Sequence, residues 1–407
     1  MKTHLLQTLA LGAACAATGA AHAQSSLTLY GTADAGVLSI SNTAVGRPGY
    51  IPSPQTSGRQ TVYKDGGLGA SNWGLRGRDD LGGGWRVNFQ FQGNIDTASG
   101  NAGGPNSSSG RSLFNQMAMV GIAGPLGEVK LGRQIAPMIF AMASTDVRQV
   151  RYFGSPLTAL VGMNSASGAF IGHNSNVAFG TVYNDSAIVY TSPIWNNLTL
   201  HLGYAADASG GFGKANSQRT AALMYASGGL RLSAFYYNGY GNNLPVATAL
   251  YGAALGNAEA GSAAAAQAGF SPKANTNRLM SVAGLYKWGA FTVSGGYYWG
   301  RNPARAILPG GSASLDMLTL GGAWQIQPNL SLTTGYHRIK DNTNDGHSAT
   351  QVVVGLDYLL SRRTIAYVQA ATIRNKGANM NLSPVYGTPV GANRNVNALM
   401  LGMRHTF

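Results

Sequence analysis

Segments of about ten residues in which every second side chain is apolar recur from one end of this chain to the other. In "WRVNFQFQ", Trp85, Val87, Phe89 and Phe91 alternate with Arg86, Asn88, Gln90 and Gln92. Near the start, Leu27, Leu29, Gly31, Ala33, Ala35 and Val37 share one face, against Thr28, Tyr30, Thr32 and Asp34 on the other. In "SNWGLRGRD", Trp73, Leu75 and Gly77 oppose Asn72, Gly74, Arg76 and Arg78. A repeat of two is that of a pleated strand, not of a helix. At the far end Leu399, Leu401, Met403, His405 and Phe407 stand opposite Ala398, Met400, Gly402, Arg404 and Thr406. An edge strand of this kind leaves apolar surface and unpaired backbone groups exposed, unless it closes a barrel whose apolar side faces lipid.

Further strand candidates lie at 113–123, 127–134, 185–193, 197–206, 217–227, 229–239, 276–287, 289–300, 314–326, 329–340, 348–360 and 362–373, making 16 in all with the terminal one at 395–407. A tilted strand crossing a hydrocarbon layer needs roughly 9 to 11 residues, which these lengths match. Connections fall into two kinds. "GPLG", "DDLGGG", "PIWNN", "SGG", "KWG", "QPN" and "LSR" are tight turns, whereas 39–70, 96–112, 135–184, 240–275, 301–313 and 374–394 are long and polar. The pattern predicts an all-β fold, a 16-stranded antiparallel transmembrane β-barrel with short turns at one rim and long loops at the other. Closure is obligatory, because an open sheet edge cannot be satisfied in lipid. Trp85, Trp195, Trp288 and the run Tyr297 to Trp299 fall near turns or strand ends, where an interfacial aromatic belt belongs.

Composition sharpens this reading. Charged residues make up only 10% of the chain, against roughly 25% in ordinary soluble domains. No apolar run has the roughly 18 or more residues of a membrane helix. Residues 1–23 read as an export signal, with Lys2, the apolar stretch "LLQTLALGAACAATGA" and the small-x-small site "AHA" before Gln24. Removing it takes away Cys15 and leaves 24–407 as a single barrel domain. The formal net charge of +14 suits anionic solutes or surfaces. The cations are scattered singly and nothing resembles a basic recognition helix, so nucleic acid is not an expected partner.

No nucleophile elbow, HExxH or phosphate loop occurs, and the seven histidines have no metal-ligand spacing. The expectation is therefore no enzyme, no cofactor and no metal. Three other readings remain open: an outer-membrane lipase barrel, a sugar-selective pore and an adhesin. The second would use an aromatic track, which Tyr30, Phe235 and Tyr237 on polar-parity positions could begin.

Several segments, taken in order, resemble the general porins of Gram-negative outer membranes, in particular the family typical of beta-proteobacteria. They are "SSLTLYGTADAG", "LGASNWGLRGRDDLGGGWRVNFQFQ", "LFNQMAMVGIAGPLGEVKLGRQ", "SAIVYTSP", "LDYLLSRRTIAYVQAA" and the terminal "LGMRHTF". The resemblance implies a water-filled diffusion channel for small hydrophilic solutes and inorganic ions, usually a homotrimer, surrounded by outer-membrane lipid. It also implies that Phe407 belongs to a signal read by the barrel-assembly machinery. An inward-folded constriction loop is implied at 135–172, with Asp146, Arg148 and Arg151 as constriction candidates.

Arg133 falls on one of the family's wall arginines. Strict alternation after Val129 and Leu131 points it outward, so a lumenal Arg133 requires a bulge or the end of the strand register. Asn72 stands where the family carries an arginine, and His173 at its basic site beyond the loop. Asn115 and Gln116 replace basic residues, and these departures weaken the expected anion filter. From alternation alone, Arg76, Arg78, Arg86, Arg231, Arg338 and Arg404 are lumenal candidates, together with Asp34. A ring of like charges concentrates counter-ions, so a mild anion preference is expected. The competing expectation pairs these arginines with Asp34, Asp79, Asp80 or Glu128.

Overall fold

A computed structural model describes residues 26–45, 54–102, 113–160, 182–206, 212–213, 217–240, 276–302, 313–378 and 380–407. The export signal, His173 and residues 161–172 of the expected constriction loop lie outside the described residues. The strands are β1 (Ser26–Ile40), β2 (Gln60–Asp65), β3 (Asn72–Gly82), β4 (Trp85–Asn94), β5 (Met117–Gly124), β6 (Gly127–Ile135), β7 (Tyr183–Thr191), β8 (Leu198–Ala205) and β9 (Gln218–Ser227). They continue as β10 (Leu230–Tyr240), β11 (Thr276–Trp288), β12 (Phe291–Arg301), β13 (Ser314–Gln327), β14 (Leu330–Asp341), β15 (Ser348–Leu359), β16 (Thr364–Lys376) and β17 (Asn395–Thr406). Helices α1 (Pro137–Thr145) and α2 (Pro156–Leu160) lie between β6 and β7.

From β3 onward each strand pairs antiparallel with the next, and β17 returns to β1 from Thr32 opposite Thr406 to Ile40 opposite Ala398. Gly31 and Phe407 add a reciprocal pair of backbone hydrogen bonds at 3.2 and 3.0 Å. The ring of strands therefore closes on itself, as lipid requires. It has 16 positions although 17 strands are hydrogen-bonded, because β2 and β3 occupy one position: β2 pairs with the upper half of β1 and β3 with the lower half.

Asp34 causes the interruption. Its carboxylate accepts the backbone N–H groups of Gly67 at 3.1 Å, Leu68 at 2.8 Å and Gly69 at 2.9 Å, and the Tyr367 hydroxyl at 2.7 Å. Successive amides converging on one anion form a nest, which holds 66–71 away from the wall between β2 and β3. Asp34 is fully buried and so does not line open lumen.

The alternation seen in the sequence decides the two faces. Leu27, Leu29, Val120, Leu223, Val282, Val354 and Leu401 are exposed on the outer face, where hydrocarbon takes the place of water. At the rim of short turns Tyr286 stacks on Trp288, Trp288 meets Phe291, and Phe291 stacks on Trp324, with centroids 5.9 to 6.2 Å apart. That arc of rings is one sector of the aromatic belt expected where apolar surface meets headgroups.

The inner face is not uniformly polar. Under α1 the wall of β9 to β12 presents Ala222, Phe235, Tyr237, Leu279 and Tyr298, all buried. Pro137 begins the helix, where its missing N–H removes no bond, and Met138, Ile139 and Met142 bury against that wall. Thr145 and Ser233 fix the end of the helix through a hydroxyl pair at 2.9 Å.

Candidate functional site

Between α1 and α2 the chain crosses to the opposite wall. Arg148 is fully buried there. Its Nε donates to Gly154 O at 2.9 Å, Nη1 to Thr333 Oγ1 at 2.8 Å, and Nη2 to Phe153 O at 2.8 Å and to Gln369 Oε1. Three residues on, Arg151 makes a two-point contact with Asp357 on β15. Asp146 turns its carboxylate onto its own segment, accepting the Arg148 N–H at 3.0 Å and the Val150 N–H at 2.8 Å. Burial pushes the Asp146 carboxyl above the usual carboxylate range, against the opposing pull of those amides and of the two guanidinium groups. Burial also pushes Arg148 down to about 9, which leaves it charged at neutral pH.

The three constriction candidates thus act first as fastenings. Arg148 has no exposed surface to offer a solute, and Arg151 and Asp146 spend their charge on protein partners. The segment is also stitched by backbone bonds from Tyr152 N to Leu68 O at 3.3 Å, from Gly154 N to Pro384 O at 2.7 Å and from Tyr386 N to Tyr152 O at 2.8 Å. Residues 146–156 are consequently held from three sides: the nest beside Asp34, the wall of β14 to β16, and the connection before β17.

Arg133 sits at a register shift. The β6–β7 pairing slips between Gly132 and Gln134, and Gly132 adopts φ +112°, a conformation open to glycine. The extra residue turns Arg133 toward the interior, where it donates to Asn115 O at 2.8 Å, pairs with Asp185 and lies 5.5 Å from the centre of the Tyr183 ring. The bulge answers the parity conflict in the sequence.

Arg76, Arg78, Arg86, Arg231 and Arg404 lie on the inner face, as alternation predicts. Arg76 stacks 5.2 Å over the Tyr30 ring, whose hydroxyl joins Gln90 and Gln92 in a polar ladder across β3 and β4. Arg338 does not join them. On β14 the inner positions are Thr333, Gly335 and His337, which meet the infolded segment, so Arg338 points outward with Thr334 and Tyr336. A run of mixed polarity, "TTGYHRIK", leaves the parity of this strand ambiguous in sequence. Asn72 is half-buried and donates to Ala70 O at 2.9 Å, where it serves the break between β2 and β3.

None of the arginines 76, 78, 86, 231 and 404 forms an ion pair among the described residues, nor does Lys287, an inner-face residue that sequence reasoning passed over. All but Arg76 lie toward the strand ends nearest the short turns. Five acids are engaged elsewhere: Glu128 with Lys130 at 3.3 Å, Asp185 with Arg133, Asp357 with Arg151, Asp34 in its nest and Asp341 in the turn after β14. No ion pair joins a wall arginine to Asp34, Asp79, Asp80 or Glu128 among the described residues, although Asp80 stands opposite Arg86 in register, where it accepts the Gly82 N–H at 2.9 Å.

Among the described residues no group of three or more metal-ligating side chains is present. The aromatic track fails as well, since Phe235 and Tyr237 lie beneath α1.

A family model described as Gram-negative porin matches residues 10–378. Outer membrane porin protein 32 of Delftia acidovorans is 29% identical over 399 residues, spanning 97% of this chain and 98% of that protein. An outer membrane porin protein of Bordetella pertussis is 28% identical over 236 residues, 54% of this chain and 55% of the other. In fold, the anion-selective porin from Comamonas acidovorans superposes with a TM-score of 0.69 at 21% identity, over 94% of this chain and 100% of that one.

Proposed function

The chain belongs to the Gram-negative porin family, an outer-membrane β-barrel and not an enzyme, and from that premise we propose that its lumen is a general diffusion path for small hydrophilic solutes and inorganic ions with a mild preference for anions. One observation carries the preference. The inner wall presents six cationic side chains without an ion pair among the described residues, while Glu128, Asp185, Asp357 and Asp34 are engaged by other groups and Asp80, opposite Arg86 in register, accepts the Gly82 N–H. Fixed positive charge in a narrow aqueous path raises the local concentration of anions and the barrier for cations. No covalent step is needed.

The segment 135–172 is the constriction in this reading. An irregular backbone at membrane depth is stable where it is buried in protein or borders water, and the fastenings of Arg148 and Arg151 supply the first condition. The charged part of the filter is then the wall, with Arg133 just before the segment, Arg76 over Tyr30, and Arg78, Arg86, Arg231 and Arg404 as a basic vestibule on the turn side. Asn72 and His173 belong to the same proposal, His173 through the family resemblance alone. Threefold assembly through the outer faces of the first and last strands, and recognition of Phe407 by the assembly machinery, complete it.

The test is the reversal potential of a single channel reconstituted from the purified protein under a potassium chloride gradient. A shift toward the chloride equilibrium potential supports the reading, and a shift toward potassium overturns the anion preference. Absence of any conductance overturns the channel itself.

A further inference from the structure

From residue 135 to residue 160 every side chain is buried or half-buried except one. Gln149 is exposed, at the tip of the turn between the two arginine fastenings, and its side-chain amide makes no hydrogen bond among the described residues. Its neighbours face the wall. Val147 lies against β12 and β13, where a β-carbon on Gly321 would meet a Val147 methyl group and stand 2.6 Å from the Ser294 hydroxyl. Arg148 lies on Gly355, whose β-carbon would come within 2.9 Å of Nη1, and Arg151 reaches Asp357. Val150 packs on the apolar cluster of the interior.

The backbone that projects Gln149 is strained. Gln149 and Val150 have φ of +54° and +52°, two successive residues in the left-handed region, which disfavours any side chain and a β-branched one most of all. The chain has 57 glycines and places none here. Such strain persists only where the surroundings over-determine it. The Asp146 carboxylate accepts the N–H of Arg148 at 3.0 Å and of Val150 at 2.8 Å, its carbonyl accepts that of Gln149 at 2.9 Å, and Arg151 N closes on Arg148 O at 3.3 Å. The turn is thus wound around Asp146, with both arginines directed at β14 to β16 and one amide left facing the lumen.

Half the ring of 16 positions away from β14, β15 and β16 stand β6, β7 and β8, with Arg133 on β6 turned toward the interior. A carboxylate at the tip would offset that positive wall. A neutral amide, with an acceptor oxygen and two N–H donors, leaves the charge of the wall uncompensated and offers hydrogen bonds to whatever passes.

We propose that Gln149 is the contact residue of the constriction, held out into the aqueous path by the strained turn, and that it favours anions bearing hydroxyl groups over alkyl anions of the same length. The inference rests on the reading of 135–172 as the constriction of an anion-preferring channel. Charge on the wall draws the carboxylate, and the amide replaces a water hydrogen bond that a hydroxylated solute gives up in a narrow path. An alkyl chain has nothing to exchange there. Preference for anions then belongs to the wall, and choice among anions to the tip.

The one cysteine of the chain is Cys15 in the export signal, so Gln149→Cys places a single thiol in the barrel. The purified protein is reconstituted in a planar bilayer and exposed to a sulfonate-bearing methanethiosulfonate. Single-channel conductance should fall about twofold in Gln149→Cys. Thr145→Cys, at a buried position, and the parent protein should not respond. Gln149→Glu should lower the chloride-to-potassium permeability ratio about threefold. Gln149→Leu should leave that ratio unchanged and lower the permeability of gluconate relative to hexanoate about threefold, the effect of one hydrogen bond.

Conductance unmoved by reagent that mass spectrometry shows to be attached overturns the placement of residue 149, as does a failure of the thiol to react. An unchanged gluconate-to-hexanoate ratio in Gln149→Leu overturns its part in selection. A silent parent protein brings down the channel reading and this inference with it, whereas a conducting parent with an insensitive position 149 brings down this inference alone.

Discussion

Arg151 grips Asp357 with both ends of its guanidinium, Nη1 to Oδ1 at 3.0 Å and Nη2 to Oδ2 at 2.5 Å, and so joins the infolded segment to β15. The contact is nearly dry, with 16% of the arginine side chain and 5% of the aspartate exposed. Paired, hydrogen-bonded charges hold such a position well, and a lone one does not.

Breaking that grip tests whether the segment is docked by it. Arg151→Met or Asp357→Ala alone should each destabilise the barrel by about 3 kcal/mol, because each leaves a buried charge unpaired. The double variant should recover part of the loss, giving a coupling of about 2 kcal/mol in a mutant cycle. Urea titration of the protein in lipid vesicles measures it, and additive losses would remove the pair from the docking scheme.

Asp146 gives a pH dependence of definite sign. Its docked carboxyl is raised by burial, so the docked segment holds the proton more tightly than the free one. The stability tied to this proton is complete below the ordinary carboxyl range and is lost as pH rises through the raised value. Asp146→Asn keeps an oxygen acceptor and removes the charge. The difference in stability between wild type and this variant should therefore shift in favour of the wild type as pH falls from 7 toward 4, and a flat difference would contradict the burial argument.

Selectivity should follow the wall rather than the fastening. Arg76→Ala combined with Arg404→Ala should lower the anion-to-cation permeability ratio roughly twofold. Arg338→Ala, on the outer face, should leave reversal potentials unchanged. Equal effects from the two would mean that wall charge does not govern permeation.

Gly132 is the hinge of the β6–β7 bulge. A β-carbon there would lie 2.3 Å from the Ala118 carbonyl oxygen, on a backbone already at φ +112°. Gly132→Ala should cost about 1–3 kcal/mol and, by straightening the strand, reduce anion preference through Arg133. Refolding yield in detergent and reversal potential read the two effects separately.

Alternation makes nearly every strand legible, because each has one face in lipid and the other in water or against protein. β2 is hidden for a physical reason: its separation from β3 depends on Asp34 reaching 33 to 35 residues along the chain, and no local pattern encodes that nest. Inner arginines on β3, β4, β10 and β17 are legible by parity, whereas Arg338 is not, since "TTGYHRIK" alternates weakly. The role of Arg148 is hidden more deeply. A basic residue in a long polar connection reads as solvated, and only the wall residues Thr333 and Gln369, separated from it by 185 and 221 positions, reveal otherwise. Phe235 and Tyr237 teach the same lesson from the other side, as inner-wall aromatics reserved for α1.

The seam between β1 and β17 has a consequence for how the molecule is made. The strand that completes the ring leaves the ribosome after every other described strand, and its partner before them. Until both are present, β1 carries a naked row of amides and carbonyls through the aqueous compartment it must cross. Few contacts are more distant in sequence than Gly31 with Phe407, so the ring gains its final bonds only after all the strands between have been ordered, and holding the chain unfolded in transit is as much a requirement of this architecture as the wall itself.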